Sequence, residues 1–208
     1  MATPPIRDGQ SPPKAYHHGA LREALLDAAE RLLERDGIAG LTLRAAAREA
    51  GASHAAPKNH FGDLAGLLSE LAAMGFERFA DQLRTAASGQ STAQARLNAI
   101  GRAYVEFALA NPGLFQLMFR GERLDTTRPA LRKAMDASYR LLTAGVTAAH
   151  SAAPGTDPIA TAARVARAWT MVHGYAMLLL DGRLDPLLSE HSPPVEASAL
   201  LDAMLNID

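Results

Sequence analysis

TLRAAAREAGASHAAPKNH, residues 42–60, decides how the rest of the chain is read. Thr42 can cap a short helical run, Leu43-Arg44-Ala45-Ala46-Ala47-Arg48-Glu49-Ala50, through its hydroxyl. Gly51 ends that run, and Ser53 is placed to cap a second helix from His54 to about His60. Short helices joined by a glycine-centred turn match the helix-turn-helix, whose second helix enters the DNA major groove. Leu43, Ala46 and Ala47 give the first of these helices an apolar side, and the small alanines let its neighbour cross closely. Pro57 falls in the first turn of the second helix, where its missing N–H is tolerated, and Phe61 closes that helix as a core anchor.

Any helical bundle also joins short helices by glycine turns, so the outward side chains must decide between the two readings. His54, Lys58, Asn59 and His60 are hydrogen-bonding types suited to phosphates and base edges. Thr42, Lys58 and His60 are the candidate phosphate contacts, with Arg44 also placed to reach a duplex. His54, Ala55, Ala56 and Asn59 are expected on the groove side; an alanine methyl can meet a thymine methyl, and Asn59 can pair with adenine. Ser53 heads the same set, whereas Arg48 is expected in a surface ion pair. Tyr16 and the basic arm before it are candidates for backbone or minor-groove contact.

Composition narrows the class. The 208 residues are 48% hydrophobic, rich in alanine and leucine, and only 5% aromatic, which favours an all-helical protein. Without cysteine there is neither a disulfide nor a thiolate zinc site. Net charge is −1, but local charge matters more for nucleic acid: residues 42–60 carry Arg44, Arg48 and Lys58 against Glu49 alone. The start of the chain lacks the apolar core of a signal peptide. The longest apolar run, 169–180, contains His173 and Gly174 and is too short to span a bilayer. A soluble, cytoplasmic protein is the expectation.

Outward from the opening stretch, residues 1–15 are expected to be a disordered proline-rich arm. A first helix, 20–36, buries Leu21, Leu25, Ala28, Ala29, Leu32 and Leu33, with Gly37 as its cap. A long fourth helix, 64–86, follows Asp63 with an apolar stripe through Leu67, Leu71, Phe76, Phe79 and Leu83. Residues 87–91 are the expected domain boundary. Further helices are expected at 92–109, 114–119, 128–149, 158–181 and 195–206, with loops at 121–127 and before the last helix. The expected fold is all-α: a three-helix helix-turn-helix head (16–86, motif 42–61), joined by the fourth helix to a C-terminal bundle (87–208), with about nine helices in total.

In the second half, Tyr104, Phe107, Phe115, Met118, Phe119, Met135, Tyr139, Trp169, His173 and Met177 are candidates to line an apolar cavity. An apolar stripe is more often plain core. Collectively, though, adaptable methionines and aromatics with polar tips suit a small apolar or aromatic ligand. Leu178, Leu179, Leu180, Leu187 and Leu188, then Leu200, Leu201, Met204 and Leu205, offer apolar surface for a homodimer through the last two helices.

Residues 17–79 resemble the DNA-binding domain of the tetracycline-repressor (TetR) family: a first helix, DGIAGLTLRAAAREAGAS, a recognition helix ending in HF, and an acid-capped fourth helix. YVEFALANPGLFQLMF and WTMVHGYAMLLLDG are similar to one group of that family, with a Trp–His–Gly ligand-binding domain. The resemblance implies a dimeric transcriptional regulator, usually a repressor released by a small molecule, bound to near-palindromic operator DNA. Two positions depart from the family. Lys58 stands where a tyrosine usually holds the phosphate backbone, and Leu64 where a lysine is common. Lys58 can serve as a point charge but cannot stack, and Leu64 can make no charged contact.

Enzyme and metal chemistry find little footing. His17-His18 and the His54/His60 pair form no coherent ligand set, and HExxH and paired catalytic carboxylates are missing. No cofactor is implied. The competing class is a helical small-molecule-binding protein or enzyme without DNA activity.

Overall fold

Leucines and alanines at three- and four-residue spacing build the first helix, α1 (His18–Gly40), which buries Leu25, Leu26, Ala28, Ala29, Leu32 and Leu33. Its helical geometry breaks at Gly37, where the cap was expected. The structure is a computed structural model and describes residues 18–119, 121–150, 157–190 and 195–206. The expected arm, Tyr16 and His17 therefore lie outside the described residues.

Helix α2 (Leu43–Glu49) starts as its sequence requires: the Thr42 hydroxyl oxygen accepts from the Ala45 N–H at 3.1 Å. Ala45, Ala46 and Ala47 are buried, and Gly51 turns the chain at φ 63°. The next helix, α3 (Ala56–Phe61), begins later than the sequence suggested, and Ser53 does not cap it with its side chain. Pro57 explains both corrections. A helix from His54 would need an N–H at residue 57 to bond the Ser53 carbonyl, which proline cannot supply. That carbonyl instead accepts from the Ala56 N–H at 3.0 Å, so Pro57 stays in the first turn.

Helix α4 (Leu64–Ser88) is capped by Asp63, whose carboxylate accepts from the Gly66 N–H at 2.7 Å. The bundle follows: α5 (Ala93–Ala110, capped by Thr92), α6 (Pro112–Phe119), a 3-10 turn (Gly121–Arg123), α7 (Pro129–Ala149), α8 (Pro158–Leu180), α9 (Asp185–Ser189) and α10 (Ala197–Leu205). The described residues hold ten α-helices rather than about nine, and no strand. The additional one, α9, occupies a stretch read as loop. Its five residues are too few for a 3.6-residue period to register, although Pro186 sits in its first turn.

Helix α4 is the spine. It packs against α7, α5 and α6 on the bundle side and α1 and α3 on the head side. One continuous apolar cluster runs from Leu25 through Phe61, Leu71, Phe79 and Phe115 to Leu201. Helix α1 also reaches the bundle directly, because the Glu34 carboxylate accepts the N–H groups of Gly113 (3.1 Å) and Leu114 (2.9 Å) at the start of α6.

Replacing Gly51 with alanine places a Cβ in the left-handed region, so denaturant unfolding should show a loss of about 1–2 kcal/mol. Gly51→Asn should lose less.

Candidate functional site

The helix-turn-helix presents most of its expected polar side chains to solvent. Thr42, Arg44, Ser53, His54, Ala55, Lys58 and Asn59 are exposed, and His60 is half-buried with its ring 6.1 Å from that of Phe61. Thr42 accepts at its oxygen in capping α2, which leaves its hydroxyl proton able to donate to a phosphate. His54 and Ala55 lie in the turn leading into α3 rather than on the helix. Ala56 must leave the groove-facing set: it is 6% exposed and packed into the apolar core, its methyl turned inward by the late start of α3. Ser53, Asn59 and His60 share a shallow groove with Gly19, Leu21 and Arg22 of α1.

Arg44 and Arg48 sit one turn apart on α2, both exposed, and neither makes an ion pair among the described residues. Among the described residues the expected ion pair of Arg48 is not formed; the neighbouring Glu49 instead lies within 3.4 Å of Arg31 and 3.5 Å of Arg35. Arg48 thus joins Arg44 and Lys58 as cationic surface, which the local charge count already signalled. Leu64 is half-buried against the core, consistent with an apolar residue at that position.

Behind the head, the bundle encloses a cavity of about 360 Å³, within the range of small-molecule sites. Tyr104, Met118, Phe119, Met135, Tyr139 and Trp169 line it. Phe107, Phe115, His173 and Met177 do not; Phe107 and Phe115 are buried core. Phe76, Phe79 and Leu83 also line the cavity, although the sequence marked them only as the stripe of α4. Leu124 and Thr126 come from the loop before α7, a stretch without periodicity, where no sequence signal could have placed them. Tyr139 and Trp169 stand at the open side, 53% and 39% exposed. A second cavity of about 250 Å³ shares the wall made by Tyr104 and Leu142 and is more polar, with Asn98, His150, Arg164 and Arg167.

Tyr104 organises the polar chemistry here. Its hydroxyl lies 2.9 Å from His173 Nδ1 and accepts from Trp169 Nε1–H at 3.4 Å. Burial pushes the Tyr104 hydroxyl pKa well above its ordinary value, so it stays protonated. Burial among the Phe115 and Phe119 rings, 5.7 and 4.7 Å away, lowers the pKa of His173. A neutral imidazole with its proton on Nε2 can accept a hydrogen bond from the Tyr104 hydroxyl at Nδ1, which gives a chain from Trp169 through Tyr104 to His173.

Among the described residues, no group of three or more His, Asp or Glu is placed to hold a metal ion. No helix there is long and apolar enough to cross a membrane.

A helix-turn-helix head on a cavity-bearing helical bundle defines a class, the one-chain transcription regulators. Residues 25–71 match the family "Bacterial regulatory proteins, tetR family", and residues 97–205 match "Tetracyclin repressor-like, C-terminal domain". The chain belongs to the tetR family of transcription regulators, whose members bind operator DNA, typically as dimers. A protein of unknown function from Rhodococcus sp. RHA1 is similar in structure, with TM-score 0.76 and 37% identity over 93% of this chain and 96% of that one. A TetR family transcription regulator from Marinobacter aquaeolei VT8 shares the fold, with TM-score 0.63 and 18% identity over 90% of this chain and 94% of that one. An uncharacterised HTH-type transcriptional regulator, YobS, of Bacillus subtilis (strain 168) is 28% identical over 98 residues, spanning 47% of this chain and 51% of that relative.

The lowered pKa of His173 makes its protonation favour the unfolded chain. Its contribution to stability is therefore present above about pH 6.5 and is lost as pH falls further. Thermal melts should show wild-type Tm falling more steeply below that pH than the Tm of His173→Gln.

Proposed function

We propose that the protein is a ligand-responsive repressor that binds a near-palindromic operator as a homodimer, with residues 16–86 reading DNA and 87–208 binding the effector and pairing the subunits. The observation that carries this reading is the cluster of exposed cations and amides on the helix-turn-helix: Arg44 and Arg48, without carboxylate partners among the described residues, beside Lys58 and Asn59. Lys58, Arg44 and Thr42 hold phosphates, with His60 at the edge of the contact, while His54, Ala55 and Asn59 face base edges.

The effector is a small apolar or aromatic molecule held between α4, α5 and α7. Phe76, Phe79, Met118 and Met135 supply an adaptable apolar wall there. The chain falls in the Trp–His–Gly group of the family. Supporting this, Trp169 and His173 both converge on the Tyr104 hydroxyl at the cavity's edge.

Pairing through α8 and α10 is supported by an unpartnered face. Of the 23 residues of α8, only Val165, Val172, Tyr175 and Ala176 are buried, and Leu178 is 44% exposed. A two-fold axis there sets two recognition helices about one DNA turn apart, or a multiple of it. The protein acts in the cytoplasm, where its operator lies.

Selection from a random duplex pool should return a palindromic consensus; recovery of no consensus would sink the reading in favour of a ligand carrier. Lys58→Ala should weaken binding to all sequences and reduce the salt slope by about 1. Leu178→Glu should shift the sedimentation coefficient to that of a monomer.

A further inference from the structure

The loop between α6 and α7 has two sides. Gly121, Leu124 and Thr126 line the cavity. Asp125, between Leu124 and Thr126, and Arg128, two residues further on, reach the other way, toward Ser69 of α4 and the end of α3. The Asp125 N–H donates to Ser69 Oγ at 2.8 Å; Ser69 is 1% exposed on α4 and donates in turn to the Ala65 carbonyl at 2.7 Å. Arg128, at the boundary of α7, donates from one terminal nitrogen to the carbonyl of Phe61 at 3.0 Å. Its other terminal nitrogen lies 3.7 Å from Glu70, and its Nε lies 3.4 Å from the Asp125 carboxylate.

Phe61 is the last residue of α3, so its carbonyl has no partner within that helix. A residue of the cavity loop thus satisfies the C-terminus of the recognition helix. The approach is possible because residue 66 is glycine: a Cβ there would lie 2.0 Å from the Phe61 oxygen and 2.5 Å from the Arg128 guanidinium. The head closes the circuit from its own side. Arg22 of α1 pairs with Glu70 at 2.5 Å and lies 5.6 Å from the Phe61 ring centroid. Nε of Arg128 is buried and makes no hydrogen bond; it faces Asp125 Oδ2 at 3.4 Å, while Thr127 donates to the other oxygen of that carboxylate, Oδ1. A shift of the loop therefore changes how well this half-buried guanidinium, with its buried Nε, is satisfied.

We propose that Arg128 is the positioning residue that couples the cavity to the recognition helix, an inference that rests on the regulator reading above. An occupant pressing on Leu124 and Thr126 displaces the loop, and Arg128 carries the displacement to the Phe61 carbonyl. Lys58, Asn59 and His60 immediately precede Phe61, so the tilt of their helix changes against the groove. The ligand shifts the balance between two loop arrangements, and the head follows.

Because the effector is unidentified, a tryptophan at Met135, facing the same cavity, serves as the probe. Operator affinity is measured on the full chain for wild type, Met135→Trp, Arg128→Met and the double variant, with helicity checked by circular dichroism. Filling the cavity should weaken operator binding by about tenfold in the Arg128 background, and by less than about threefold once Arg128 is methionine. Arg128→Gln, too short to span both partners, should uncouple likewise and carries the test if the methionine variant does not fold. The inference is overturned if the cavity-filling loss is the same in both backgrounds. It is equally overturned if Met135→Trp leaves operator affinity unchanged while wild type binds, an outcome that spares the regulator reading. Failure of wild type to bind any operator would instead remove the reading itself.

Discussion

Burial of α4 on two fronts is the constraint from which the rest of this structure follows. Its 25 residues span about 37 Å at 1.5 Å per residue, enough to pass through both the head and the bundle. Leu67, Leu68 and Leu71 are buried in the part of α4 nearest the head, which packs against α1 and α3, while Phe76, Phe79 and Leu83 reach the cavity wall. Each large apolar side chain so buried contributes roughly 1.5–3 kcal/mol. Neither the head nor the cavity keeps its shape if this helix moves alone. Under the proposed regulator reading, a signal between them has a rigid element to travel on.

Polar braces set where α1 and α3 lie against that spine. Arg22–Glu70, Glu34 at the start of α6, and Arg128 at the Phe61 carbonyl each join the head to α4 or the bundle. Partly exposed ion pairs of this kind add little net stability. Their directional hydrogen bonds do something that apolar packing cannot, which is to specify register and angle. For a DNA-binding head that must present its recognition helix to a groove, angle matters more than a further fraction of a kcal/mol.

The cavity owes its form to the aromatic cluster on one side and to an incomplete wall on the other. Phe79 meets Tyr104 and Phe107 edge to face at 4.9 and 5.1 Å, a rigid floor. Opposite it, Met118, Met135 and the loop carrying Leu124 and Thr126 offer flexible or irregular surface. Tyr104 separates this apolar space from the more polar one beside Arg164 and Arg167. One phenol is thus shared by two chemically different volumes.

Local and periodic information in the chain was enough for the all-α class, the position of α1 and α4, the Thr42 and Asp63 caps and the turn at Gly51. Each rests on residues within a few positions of one another, which is the range over which helix periodicity and capping act. It also sufficed for exposed Arg44, Lys58 and Asn59, because a polar residue with no apolar partner on its helix face has nowhere to go but solvent. Three things required the tertiary structure. Ala56 turns inward because the start of α3 answers to Pro57 and to packing on its neighbours, not to the cap residue before it. Tyr104, Trp169 and His173 converge across 65 and 69 positions of sequence, and no local pattern encodes that meeting. Arg128 finds the Phe61 carbonyl 67 positions away, through a gap that only a glycine at 66 leaves open. Such contacts depend on where whole helices cross, and helix crossing is settled by the sum of buried side chains rather than by any one stretch of the chain.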